Sequence, residues 1–519
     1  MGVAPQVVIG VDIGTTATKV VAYASSGRAR AESSREYPLE ASLPYRAEQD
    51  PDLILDAVLG CLHDVTARCS EQGDVVSGIA MSAAMHGVIA LDGRGALLTP
   101  LITWADNRAA EQARILRERS DGLDIYRRTG TPLHPMSPLA KLLWFEQESK
   151  EVWRRAAWWI SIKEYVLYRL FGELVVDHSI ASATGLFNLE RLDWDDGVLA
   201  LLDLSRDKLP ALVPTTHVLA GMDVDCARRT GLPVDTPFVV GASDGVLANL
   251  GVGAIRPGIA ACTIGTSGAV RMCSTRPRTD PRGRIFCYAL TEDLWVVGGP
   301  INNGGVALQW LRDEIFPAAA SAAEDAGREP YDDLLDLAAT AAPGSDGLIF
   351  LPYLLGERAP YWDARARAAF VGLTIRHSRE HVVRAVMEGV VYQLHAVLAV
   401  LETVAGEAIE FRATGGFSRS SLWRQIMADI FGSNVAFPRD HESSCLGAAI
   451  LGMATLGLID SIHRCEDLVV IEHRHEPVAG NGPVYGRLTE VFGRLYEKLA
   501  PEFDVLAKLQ LSADDAFGG

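Results

Sequence analysis

Two short segments carry residues from which a reaction could be built. Gly10-Val-Asp12-Ile-Gly14-Thr15-Thr16 is followed closely by Lys19. A carboxylate, a glycine corner, two hydroxyls and an ammonium are the groups that hold a phosphate and its counter-ion. Glycine lets the backbone approach an anion, and the neighbouring hydroxyl and N–H groups donate to phosphate oxygens. Residues 261–267, Ala-Cys-Thr-Ile-Gly-Thr266-Ser, repeat the order of apolar run, Ile-Gly-Thr and hydroxyl. Between them, Gly241-Ala-Ser-Asp244-Gly245 sets a carboxylate directly after an apolar run, among residues small enough to admit a substrate. Phosphoryl transfer to an alcohol needs a phosphate cradle with a metal ion, a base for the hydroxyl, and exclusion of water. Asp12 is the candidate for Mg²⁺, acting through water because Mg²⁺ dehydrates reluctantly. Thr15, Thr16 and Lys19 are placed to meet the terminal phosphate, and Asp244 is the candidate general base. A strand-end Asp before a helix also fits a plain N-cap.

Other segments could bind an acceptor or a nucleotide. Met85-His86-Gly87 and Trp104-Ala-Asp-Asn107-Arg108 offer donors to hydroxyls and to a carboxylate. Gly298-Gly-Pro-Ile-Asn-Asn-Gly-Gly305 and Thr414-Gly-Gly416 are glycine-rich turns open to a ribose and base. A structural turn is the commoner reason for such glycines.

These residues need elements to position them. Strand, Gly turn and returning strand predict a β-hairpin at each Ile-Gly-Thr segment. The echo between them suggests a duplicated architecture with phosphate between the halves. Apolar runs predict strands over 75–81, 88–91, 237–240 and 348–351. Helical periodicity is present over 138–148, 162–170, 245–250, 421–431 and 379–404, the last with Ser378 as N-cap. Segment 413–417 reads as a strand entering a turn. Such a mixture argues an α/β fold. Residues 318–333 read as a surface helix and loop, and the tail after Leu511 as frayed.

The chain has 519 residues, 48% hydrophobic and 22% charged, which suits two to four domains with ample cores. The break at 251–258 divides it into 1–252 and 253–519. A formal charge of -18 opposes nucleic acid and requires any anion site to be locally positive. The eight cysteines include no C-x-x-C pair, which suggests core thiols in a reducing cytosol. The start has no signal-peptide pattern and no apolar stretch reaches about 18 residues, so neither secretion nor a membrane span is expected.

Together these segments resemble the FGGY family of carbohydrate kinases, over nearly the whole chain and in the right order. Met136-Ser-Pro-Leu-Ala-Lys141-Leu-Leu-Trp144-Phe-Glu-Gln-Glu148 is similar to the family's first signature. Ala368-Ala-Phe-Val-Gly372-Leu, followed by His381-Val-Val-Arg-Ala-Val-Met-Glu388, is similar to its second. The resemblance implies two actin-like (ribonuclease-H-like) domains around a central cleft, with sugar mainly on the N-terminal half and ATP mainly on the C-terminal half. It implies Asp244 as catalytic base and Asp12, Thr15, Thr16 and Lys19 as the first phosphate hairpin. Thr266, Gly305, Gln309, Gly416 and Ser420 match nucleotide positions, and Met85 and His86 match sugar positions. Within the family the wording is most similar to gluconokinases, through Ser82-Ala-Ala-Met-His86, Thr103-Trp104-Ala-Asp-Asn107-Arg108, Ser161-Ile-Lys163-Glu164 and Asn302-Asn-Gly-Gly305. Met-His-Gly itself is xylulokinase-like, which keeps a ketopentose as the alternative acceptor. A nucleotide-binding sugar sensor is a third reading. For a sugar acid, Arg108 or Lys163 is expected to meet the carboxylate. Family habit adds a homodimer.

Overall fold

The computed structural model describes residues 5–41, 45–317, 331–439 and 442–517. Contacts divide the chain into two compact units. The first holds Met1–Arg256, Cys273–Val297 and Glu442–Val470; the second holds Pro257–Met272, Gly298–His441 and Ile471–Gly519. The first crossing, at 256/257, falls in the glycine-rich stretch singled out from the sequence. Neither unit is one continuous segment, because 273–297 and 442–470 return to the first.

The first unit is built on six strands: β1 (Gln6–Ile13), β2 (Ala17–Ala24), β3 (Ala29–Glu36), β4 (Val75–Ala83), β5 (Val218–Leu219) and β6 (Phe238–Ser243). Their order is β5-β6-β4-β1-β2-β3. β1, β4 and β6 are parallel, β2 returns antiparallel from β1, and β5 closes one edge antiparallel.

Alternation along β1 sorts its side chains between two faces. Val7, Ile9, Val11 and Ile13 join one core with Val58, Leu62 and Val65 of α1 (Pro51–Glu71). Val8 and Gly10 face the other way. There β6 leads into α2 (Asp244–Gly251), and α3 (Ser443–Thr455) lies across the sheet. A Cβ on Gly10 would stand 2.1 Å from the Cys445 carbonyl oxygen, and one on Gly447 would stand 2.0 Å from that of Leu247. Only hydrogen fits at either contact. Asp12 shares the parity of Val8 and Gly10, so it emerges on the face covered by α2 and α3.

The second unit repeats this plan. β7 (Ile259–Ile264) and β8 (Gly268–Ser274) form the second hairpin. β9 (Glu410–Thr414) and β10 (Val435–Pro438) extend it in parallel, and β11 (Ile471–His475) closes antiparallel. The run β8-β7-β9-β10-β11 has the same directions as β2-β1-β4-β6-β5. Each unit is thus an α/β fold of the actin-like, ribonuclease-H-like kind.

The helix Arg379–Ala405 begins at Ser378, as its sequence predicts. Among the described residues it alone is long and apolar enough to cross a membrane, yet 78% of its apolar window is buried. It is a core helix, and its Arg384 and Glu388 bond to each other and to Tyr485. Residues 318–330 lie outside the described residues. The C-terminal helix runs Gly482–Phe517.

Candidate active site

Parallel strands end together, and in open α/β sheets ligands gather outside those carboxyl ends. In the first unit β1 ends at the Gly14 turn, β4 at the segment 84–87, and β6 at Asp244. Register then fixes the neighbours. Asp12 lies opposite Lys19 on β2 and Ser82 on β4, and Ser82 lies opposite Ala242 on β6. Lys19, Asp12 and Ser82 therefore form one row across the sheet, with Asp244 two residues past Ala242 at its far end.

The row is electrostatically unbalanced. Ser82 Oγ donates to Asp12 Oδ1 at 2.7 Å. Lys19 Nζ donates to both carboxylate oxygens of Glu442, at 2.8 and 2.9 Å. Burial, and then the charge of Asp244, push the Asp12 carboxyl up to about 7 despite the Ser82 bond. Asp12, Asp244 and Glu442 thus face one ammonium, an excess of negative charge that a divalent cation would relieve. Among the described residues no group of three or more His, Cys, Asp or Glu is arranged to hold a metal alone.

Asp244 opens α2, with Ser243 in the N-cap position. The N-cap alternative for Asp244 is therefore not what the fold adopts. Its Oδ1 accepts from the Gly245 N–H at 2.6 Å, and Ser444 Oγ donates to its carbonyl at 3.2 Å.

The Gly14 turn is held from outside. Gly14 N–H bonds the Ala17 carbonyl at 3.0 Å and the Tyr37 hydroxyl bonds the Gly14 carbonyl at 2.6 Å. Gln49 Nε2 donates to the Thr15 carbonyl at 2.7 Å, and Trp104 Nε1 donates to Thr15 Oγ1 at 2.8 Å. Thr16 is exposed. A pocket lined by Gly14, Thr15, Gln49, Met85, Gly87 and Trp104 brings the Gly14 turn together with segments 84–87 and 101–104.

His86 stands at φ 70°, a left-handed conformation uncommon for a non-glycine residue. Its buried ring lies 2.8 Å by Nδ1 from the Ala183 carbonyl, which makes that nitrogen the donor. Nε2 lies 3.4 Å from the Tyr288 hydroxyl. The His86 carbonyl accepts from Lys141 Nζ at 3.1 Å, and Met136 O accepts from the same ammonium. Lys141 is wholly buried in the helix Pro138–Glu148. Sequence reasoning placed it in a signature but gave it no role. The available signal was a charge among Leu139, Ala140, Leu142 and Leu143.

Burial pulls the Lys141 ammonium down to about 7, against the pull of Asp106. Between that value and the ordinary 10.5 the unfolded chain holds a proton that the folded chain lacks. Stability must then rise with pH across this window and level off below about 7, where both states hold the proton. Lys141→Met should flatten the rise of melting temperature from pH 7 to pH 9. An unaltered slope in the variant would contradict the assignment.

The two cations expected to meet an acceptor carboxylate are both engaged by carboxylates of the chain. Lys163 is 0% exposed, donates to the Ala242 carbonyl at 3.1 Å and pairs with Asp177 at 2.5 Å. Its charge is thus engaged by Asp177 in the interior of the unit. The Arg108 side chain is 7% exposed and pairs with both Asp106 and Glu48. Its charge is already balanced, so it offers no free cation. Its guanidinium also stacks over Trp144. Asn107 is exposed and bonds the Ala105 carbonyl at 3.3 Å.

In the second unit the Gly265-Thr266 turn follows β7 and the Gly415-Gly416 turn follows β9, at one end of parallel neighbours. Gly305 N–H bonds the Gly265 carbonyl at 2.7 Å, and Gly304 N–H bonds that of Thr266 at 3.0 Å. Gly415 has φ 111°, and a Cβ there would stand 2.2 Å from the Ile264 carbonyl oxygen. Gly305 opens a helix on which Gln309 is exposed, and Ser420 caps the helix Ser421–Phe431. All five nucleotide candidates therefore belong to this unit. Sequence reasoning missed their support. Buried Glu357 accepts from the Asn302 N–H at 2.6 Å and the Arg358 N–H at 2.8 Å, and Asn303 Nδ2 donates to the Gly356 carbonyl at 2.8 Å.

Residues 7–251 match the N-terminal domain of the FGGY family of carbohydrate kinases, and residues 260–456 match its C-terminal domain. A gluconokinase of Bacillus subtilis (strain 168) is 46% identical over 503 residues, covering 97% of this chain and 98% of that protein. A crystal structure of gluconate kinase from Lactobacillus acidophilus superposes with TM-score 0.91 at 38% identity, covering 97% of this chain and all of the other. A ligand-bound xylulose kinase structure from Lactobacillus acidophilus has the same TM-score of 0.91 and 38% identity, covering 96% of this chain and all of the other. The protein is a two-unit phosphotransferase of the actin-like fold. It belongs to the FGGY family of carbohydrate kinases.

Proposed function

We propose that this protein phosphorylates D-gluconate with ATP, giving 6-phosphogluconate. The observation that carries the mechanism is the convergence of Asp12 and Asp244 on one sheet edge, beside the pocket of Thr15, Met85 and Trp104. The 46% identity to a gluconokinase over nearly the full length supports the acceptor. Asp244 takes the proton from the acceptor's terminal hydroxyl, and that oxygen attacks the γ-phosphorus in line. Thr15, Thr16 and Lys19 orient the transferred group. Thr266, Gly305, Gln309, Gly416 and Ser420 hold the nucleotide. Asp12 would hold Mg²⁺, which neutralises charge on the phosphates when bound.

The choice of hydroxyl follows from charge. Asp12, Asp244 and Glu442 outnumber Lys19 at the reaction centre. An acceptor that is anionic at one end is repelled there by its carboxylate and approaches with its primary alcohol. Arg108 is held by Asp106 and Glu48, and Lys163 by Asp177. The eight cysteines are unpaired and all but Cys226 are buried, which fits a reducing cytosol.

The equal likeness to a xylulose kinase structure favours a second reading, in which a ketopentose is the acceptor. Initial rates with gluconate, xylulose, glycerol, ribulose and fuculose separate the two. Gluconate should have the highest kcat/KM, by about tenfold or more, a margin worth about 1.4 kcal/mol. A xylulose preference would overturn the acceptor assignment.

A further inference from the structure

The hydrogen bond from Trp104 to Thr15 joins the acceptor segment to the phosphate turn. Indole N–H is a donor only, so its direction is fixed. Thr15 Oγ1 therefore accepts at 2.8 Å. A threonine hydroxyl has one proton to give and two lone pairs. With a lone pair committed to Trp104, its proton is directed elsewhere. The second tie, from Gln49 Nε2 to the Thr15 carbonyl at 2.7 Å, fixes the backbone of the same residue.

Both ties come from one rigid block. Gln49 and Glu48 pair antiparallel with Leu101 and Ile102. Thr103 Oγ1 donates to the Ala47 carbonyl at 2.9 Å, and the Ala47 N–H donates to Asp106 at 2.8 Å. Asp106 and Glu48 are in turn bound by Arg108. Arg108 thus ties the two segments of the block together.

We infer that Trp104 is a positioning residue for phosphoryl transfer: its indole N–H orients the Thr15 hydroxyl so that the hydroxyl proton is donated to the transferred phosphate. The inference rests on the proposed role of the turn as a phosphate site. It gives the acceptor-side segment a second task besides contacting the sugar. A disturbed acceptor segment then misaligns the phosphate donor, which links acceptor occupancy to productive transfer.

A double-mutant cycle tests this in the full-length protein with ATP and gluconate. Trp104→Phe keeps an aromatic ring and loses the N–H. It should lower kcat/KM for ATP by roughly three- to tenfold, the range of one hydrogen bond. Thr15→Val should lower it at least as much. In the double variant the Trp104 change should cost nothing further. In a Thr15→Ser background, which keeps the hydroxyl, the Trp104→Phe loss should return. Losses that multiply in the Val background would overturn the inference while leaving the phosphate role of Thr15 intact. An unaffected Thr15→Val enzyme would instead overturn the phosphate role itself. Circular dichroism melts within a few degrees of the parent would assign the losses to the site rather than to folding.

Discussion

Asp244→Asn should bind ATP and gluconate normally and lose kcat by about 10²–10⁴-fold, the usual contribution of a positioned base. The substitution is nearly isosteric. The amide oxygen can still accept from the Gly245 N–H, which bonds Asp244 Oδ1 at 2.6 Å, so the start of α2 should survive. What is lost is the capacity to take a proton at neutral pH. A second consequence follows from charge. Asp244 helps hold the Asp12 carboxyl up near 7, so its removal should let Asp12 ionise more easily. The variant should therefore be no less stable than the parent at pH 8. Near-normal kcat would refute the base assignment; loss of both substrate affinities would show a collapsed site instead.

Lys163→Met should destabilise the protein by about 3–5 kcal/mol, read as a fall in the urea midpoint. It strands Asp177, which is buried and also caps the helix His178–Ser182 by accepting from the Ile180 N–H at 3.0 Å. Ser179 of that helix bonds the Ser243 N–H at 3.2 Å, one residue before the proposed base. Damage there reaches Asp244 through the end of β6, so kcat should fall as well. Adding Asp177→Asn removes the stranded charge and should recover part of the lost stability. A variant of unchanged stability whose only defect is a raised KM for gluconate would return Lys163 to the acceptor site.

Much of this was legible in the sequence because local rules governed it. Hairpins with glycine corners, the helix 138–148, and the small-residue helix after β6 form where propensity and turn chemistry agree. Asp12 and Asp244 could be singled out because each follows an apolar strand and precedes a glycine. Partners set by tertiary contact could not be read. Glu442 reaches Lys19 across 423 residues of chain, and no local pattern announces it. Lys163 looked available because a lysine is ordinarily exposed; its burial comes from pairing with Asp177, fourteen residues on and in another element. Arg108 looked like a substrate cation because Asp106 and Glu48 were not known to converge on it. Glu357 and Lys141 were passed over for the same reason, since a buried charge reads as a surface charge until its neighbours are placed.

The central claim is tested most directly by the product. The protein, ATP, magnesium and D-gluconate are incubated together, and the phosphate ester is located by ³¹P and ¹³C NMR. The account predicts one ADP for each phosphomonoester, with the phosphate on the primary C6 hydroxyl. ADP formed with only inorganic phosphate, or an ester formed from xylulose but not from gluconate, would contradict it.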